Sequence, residues 1–190
     1  MANSVSICSN ALQMLGAKPI NDFNERTEHA RLSASLYPDI RDDLLRAHPW
    51  NCATKRVILA PLADAPAFDF GYQFALPGDW LRTLQVGQKG QGLAYRSEGR
   101  NILANVTALP LVYIFRNVVE QEWSTNLVEL MTLQMAAKMA YSVTKSSSVR
   151  ESYRDEFARA FKVAKAIDGQ DDPPEEFEEG TLLESRFTTR

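Results

Sequence analysis

The spacing of apolar residues changes twice along this chain, and no single type of secondary structure can satisfy both patterns. Up to His48-Pro49 the apolar positions recur every three or four residues, the period of a helix with one buried face. From Asn51 to about Arg116 they come in short runs rich in β-branched and aromatic residues, the composition of strands. From about Gln121 the helical spacing returns. The chain therefore reads as helices, then a sheet, then helices.

In the first part, Val5, Ile7, Cys8, Ala11, Leu12 and Leu15 predict a helix capped by Asn3 and stopped at Gly16. A second helix is predicted to start near Asn24, with Leu32, Leu36, Ile40 and Leu44 on one face. Pro38 lacks the amide this helix needs and predicts a kink or restart. His48-Pro49 predicts its end, because the residue before a proline is pushed out of helical geometry.

In the middle part, "KRVILA", "YQFAL", "WLRTLQV", "LAYR", "NILA" and "LVYIFR" predict one small antiparallel sheet of four to six strands. Pro77-Gly78, Gly87 to Gly90 and Glu98-Gly99 supply the turns. "LVYIF" is apolar throughout, so that strand is expected to be covered on both faces. In the last part, Asn126 with Glu129 and Ser148 with Glu151 have capping-box spacing. Behind them run Leu127, Met131, Met135 and Met139, then Val149, Tyr153, Phe157, Phe161 and Ala164, with Gly169 as the closing residue. The expected fold is α+β: a four-helix bundle of residues 1–50 and 121–168, an antiparallel β-sheet insertion of residues 51–120 between helices 2 and 3, and an acidic, extended C-terminal tail of residues 169–190.

Composition limits the function classes. An apolar share of 45% and a charged share of 24% are those of a soluble globular protein. No apolar run approaches the ~18 residues of a membrane span, so no membrane partner is expected. The opening residues lack a basic start and a long apolar block, which makes a poor signal peptide. Cys8 and Cys52 are too few for a disulfide framework or a zinc knuckle, so a reducing cytoplasm is the expected place of synthesis. The net charge of −3 is unevenly spread. From Asp168 onward there are eight acids and two basic residues, which leaves the body at +3. That is too weak an excess for broad nucleic-acid binding.

Candidate chemistry is sparse. Asp42-Asp43 with His48 is the nearest approach to an acid–base cluster. Neighbouring aspartates on a helix diverge by about 100°, however, so a solvated face is the better reading. His29 has no second ligand at metal spacing. Cys8, Cys52 and the Met131, Met135, Met139 row suit a core. "GQKGQG" at 87–92 lacks the sequence that completes a phosphate-binding loop and reads as a hairpin tip. Arg150, Arg154, Arg159, Lys162 and Lys165 line the outer side of the last helix, diluted by Glu151, Asp155 and Glu156. No catalytic residue, metal ligand or cofactor site is expected. The stretch from Leu36 to Pro61 reads instead as a corner anchored by Trp50.

The corner carries a resemblance. Tyr37-Pro38, Arg41, Leu44-Leu45, Pro49-Trp50 and Lys55-Arg56, followed by Tyr72, Leu76-Pro77 and Asp79-Trp80, resemble the tail tubular protein A group, the head-to-tail adaptors (connectors, gatekeepers) of short-tailed phages. The resemblance is clearest over residues 26–85. It implies a structural virion protein at the head–tail junction, without enzymatic activity. Identical copies would form a ring of twelve subunits between the portal protein and a tail nozzle of the tail tubular protein B kind. DNA would pass through the lumen without specific binding. Pro38, Pro49, Trp50, Pro77 and Trp80 are the expected structural corner. The tail is expected to bind the portal or an adjacent subunit through Phe177, Leu182, Leu183, Phe187 and Arg190. Two other classes stand beside this one: a wall-degrading tail hydrolase, which needs a pair of well-placed carboxylates, and a small DNA-binding or packaging protein.

Overall fold

Asn3 opens the first helix as its side chain predicts. Its carboxamide accepts the Ser6 amide while the Ser6 hydroxyl takes the Asn3 amide, closing a reciprocal cap on α1 (Ser4–Met14). Gly16 leaves the helix at φ +73°, a conformation that a residue with a Cβ rarely adopts. The structure, a computed structural model, describes residues 2–90 and 92–171. The tail residues Phe177, Leu182, Leu183, Phe187 and Arg190 lie outside the described residues.

Helix α2 (Glu28–Ala47) starts later than expected. Thr27, not a residue near Asn24, caps it by accepting the Ala30 amide at 3.1 Å. Asn24 is instead held to Asp22 in a turn. The helix runs through Pro38 without a restart and stops at Ala47, where His48 turns extended (ψ 148°) ahead of Pro49. A 3₁₀ turn, Asn51–Ala53, then leads into β1 (Thr54–Leu59).

The remaining strands are β2 (Tyr72–Ala75), β3 (Trp80–Val86), β4 (Tyr95–Glu98), β5 (Asn101–Ala104) and β6 (Leu109–Phe115). They form two antiparallel sheets, not the single sheet expected: β1-β6-β3 and β2-β5-β4. The reason is edge occupancy. β6 pairs with β1 on one side and β3 on the other, so β5, although next in sequence, has no edge of β6 to join. β5 pairs instead with β2 and β4.

A second 3₁₀ turn, Glu120–Glu122, precedes α3 (Thr125–Thr144) and α4 (Ser147–Gln170). The caps are Ser124, which accepts the Leu127 amide, and Ser146, which accepts the Val149 amide. The expected boxes at Asn126 and Ser148 are wrong because both residues already lie inside their helices. Gly169 does not close α4, which continues to Gln170. Lys145 links α3 to α4 in the left-handed conformation at φ 57°.

The expectation of a four-helix bundle with one β insertion is overturned. Two helices, two three-stranded sheets and two helices follow one another, and the helices are not equal partners. α3 is the hub. It buries Leu127, Leu130, Met131, Leu133, Met135, Ala136, Met139 and Ala140 among others, with α4 along one side and α1 and α2 against others. α4 itself buries only Ala164 and Asp168. Its stripe of Val149, Tyr153, Phe157 and Phe161 is half-covered. The order of two helices, two sheets and two helices does not fit a bundle with one insertion, and α4, packed mainly along α3, adds only Ala164 to the fully buried apolar core.

The result is layered. On one side of the β1-β6-β3 sheet lies the helical core, which takes in Leu81 and Ile114 from β3 and β6. On its other side Leu109, Leu111 and Tyr113 of β6 join Phe74, Leu76, Ile102 and Ala104 in a second core against the other sheet. β6 is thus covered fully on the face toward the second sheet and only at Ile114 on the other, where Pro110 and Val112 stay half-buried, so the cover its apolar run predicts on both faces is met in part. Among the described residues no helix is long and apolar enough to cross a membrane.

Candidate functional site

The corner is built around Trp50. Its ring is fully buried and its Nε1 donates to the Leu44 carbonyl at 3.0 Å, one of the carbonyls the end of α2 leaves open. His48 meets the indole edge-on at 4.7 Å between centroids, and Phe161 of α4 does so at 6.0 Å. Asn51 then reaches the far end of α4: its amide donates to Asp168 Oδ1 and its Nδ2 to the Asp168 carbonyl. His48 Nε2 lies 3.4 Å from Asp168 Oδ2. Burial lowers the His48 pKa from its usual 6.5, and this outweighs the opposing pull of Asp168. His48 is therefore held mainly as a neutral ring.

The other corner residues form a polar frame between α2 and the sheets. Asp42 accepts from Arg41 Nη2 at 2.8 Å and from Arg116 Nε, at the end of β6, at 2.6 Å. Asp79 takes Lys55 Nζ at 3.2 Å and the Tyr113 hydroxyl at 3.1 Å. Burial and then Asp79 push the Tyr113 pKa up to about 12. The Tyr37 hydroxyl donates to Glu120 at 2.9 Å, and burial followed by the Glu120 charge drives its pKa well upward. Trp80, half-buried, donates from Nε1 to Thr83 Oγ1 and lies under the Arg100 guanidinium, which itself donates to the Pro77 carbonyl. Arg46 reaches the Leu81 carbonyl while Arg82 reaches that of Arg46, which ties α2 to β3 in both directions. Pro38 and Pro49 stand exposed on the outer side.

The structure does not assemble Asp42, Asp43 and His48 into one site. Asp42 faces two guanidinium groups, Asp43 faces outward and His48 faces Asp168 and Trp50. Burial pushes the Cys8 pKa up to about 12 and that of Cys52 to about 11, so both thiols stay protonated and poorly nucleophilic. Met131, Met135 and Met139 are fully buried core residues. His29 is half-exposed. Among the described residues no group of three or more His, Cys, Asp or Glu is placed to hold a metal ion.

What the sequence did not single out is the outer surface of the β region. Ile58 (72% exposed), Phe68 (76%) and Tyr95 (47%) present large apolar side chains to solvent. Phe68 and Tyr95 flank a groove of about 590 Å³ that Pro66, Phe70, Arg96 and Glu98 also line. Beside it β4, exposed at every residue, is an open sheet edge. Solvent-facing aromatic residues at an open edge are suited to contact with another chain. No local pattern marked them, because an exposed Phe and a buried Phe are spelled alike.

No protein-family model matches the chain, and no curated protein matches it.

Proposed function

We propose that this chain is a structural head-to-tail adaptor of a phage virion, and not an enzyme. Identical copies close into a ring beneath the portal, hold the tail nozzle below and surround the channel through which DNA leaves. One observation carries the reading. Several residues that resemble the adaptor group are tied to structural partners: Tyr37 to Glu120, Arg41 to Asp42, Trp50 to Leu44, and Lys55 to Asp79. Each has a structural partner, which is what a pattern kept for shape requires. A reactive group, by contrast, is positioned to meet a substrate.

Two further features support it. Head-to-tail contacts between unlike surfaces close into rings when the rotation allows, and the exposed aromatic groove and the charged α4 are unlike surfaces of this kind. A body only mildly basic also suits a channel wall, since tight phosphate contacts would stall transit.

The test is assembly. Native mass spectrometry and symmetry-averaged micrographs of the purified chain, alone and with portal rings, should show a closed ring that docks on the portal. A chain that ignores the portal and hydrolyses cell-wall polymer would replace this reading with the hydrolase one.

A further inference from the structure

A second surface lies on the other side of the molecule, between α3 and α4. Lys138 of α3 and Arg150 and Arg154 of α4 line a groove of about 380 Å³, floored by Gln134 and Ala137. Among the described residues only Arg154 of the three cations faces an acid, Glu151 at 3.6 Å, and that pair is well exposed. Arg150 lies over the ring of Tyr141, which is 53% exposed. The groove thus offers three cations.

We propose that this groove receives the acidic segment from Asp171 to Glu179 of a second copy of the chain. Charge complementarity points to the occupant. "DDPPEEFEE" holds six acids in nine residues, the densest negative run of the sequence. Geometry points to a second copy. α4 ends at Gln170, so at 1.5 Å per residue Arg154 lies about 24 Å back along the helix and Arg150 about 30 Å. Glu175 and Glu176 follow the helix end by five and six residues, an extended backbone reach of about 16–22 Å, and Glu178 and Glu179 by eight and nine residues, about 26–32 Å. Folding back onto the same groove would leave Glu175 and Glu176 short of it and bring only Glu178 and Glu179 within reach, at near-full extension and after a reversal just before Pro173-Pro174, which favour an extended path. The segment of a neighbour has no such limit. This assignment rests on the ring reading only in that copies must meet.

A charge-swap experiment with full-length chains tests it. One variant reverses the groove (Lys138→Glu, Arg150→Glu, Arg154→Glu). The other reverses the segment (Glu175→Lys, Glu176→Lys, Glu178→Lys, Glu179→Lys). Each alone sets like charge against like and should weaken self-association about tenfold or more, read by sedimentation. Mixed in equal amounts, every segment again meets a groove of opposite sign, and association should return. The native chain should also dissociate as salt rises from ~0.01 M to ~1 M, which shortens the Debye length from about 30 Å to about 3 Å. Should a reversal cost the helical spectrum, Lys138→Gln, Arg150→Gln and Arg154→Gln together must still weaken association.

Loss in each variant without recovery on mixing would place the contact within one chain and overturn the proposal. So would a native chain that stays monomeric at low salt. A groove reversal that leaves association intact and abolishes retention of duplex DNA would give the groove to phosphates instead. None of these arms uses the portal. Failure to dock there with intact association would sink the adaptor reading and leave this one standing.

Discussion

At the scale of single residues, Trp50 is the most exacting position. Its indole is enclosed by α2, His48 and Phe161, and its one polar atom has its partner. Trp50→Ala should cost about 3–5 kcal/mol, read as a fall in the denaturation midpoint. The neighbouring His48 gives the corner a pH dependence. Its folded pKa lies below 6.5, so the fold favours the neutral ring. The stabilisation is present above pH 6.5 and is lost as pH falls through the lower folded value. Denaturant titrations should show stability declining on acidification below pH 6.5 and levelling off once the folded ring is protonated, and His48→Gln should flatten the decline. Lys145 offers the opposite opportunity. A left-handed φ costs a side-chain-bearing residue about 1–2 kcal/mol, and glycine returns about half of that as chain entropy. Lys145→Gly should therefore raise stability by about 0.5–1 kcal/mol in thermal melts.

At the scale of elements, much was legible. Each of the six strands overlaps a run the sequence marks, β4 by only Tyr95 and Arg96, and the end of α2 falls where His48-Pro49 puts it. These are local effects of β-branching and of proline sterics. The arrangement of elements was not legible. Periodicity shows that a helix has an apolar stripe but not which neighbour covers it. The Phe157–Phe161 stripe reads the same whether buried in a bundle or laid on α3 alone. Edge occupancy likewise belongs to the assembled sheet, so nothing in "NILA" tells that β5 avoids β6. The candidate site divides in the same way. Trp50 was legible as a bulky anchor beside a proline, whereas the basic groove needs Lys138 brought beside Arg150, which only the α3–α4 hairpin does. The bridge from Asp42 to Arg116 is of this kind too, joining α2 to the end of β6 across 74 positions. It is partly exposed, so Asp42→Ala should cost only about 1 kcal/mol and leave the melt a single transition.

At the scale of the whole molecule, the charge division becomes a division of labour. The described body carries the fold, and the acidic residues beyond α4 are available for attachment. Ending the chain after Glu179, which keeps the segment assigned to the groove and removes Leu182, Leu183, Phe187 and Arg190, should leave the far-UV helical signal of the body intact and abolish its capture by immobilised portal rings. Capture that survives would move that interface off those four residues. If copies assemble in a ring, attachments that are weak singly would act together.

β6 separates the two cores and belongs to both. In hydrogen-exchange terms, that makes its amides the last to be released. An amide of β4, on an open edge, exchanges through a small local opening. An amide of β6 is freed only when β1 and β3 part from it and both cores lose a wall. The slowest exchange in the molecule should therefore follow Leu111, Tyr113 and Ile114 and equal the free energy of global unfolding. The helical layer and the β layer then have no independent lifetimes, and a pull on one is felt by the other through a single strand.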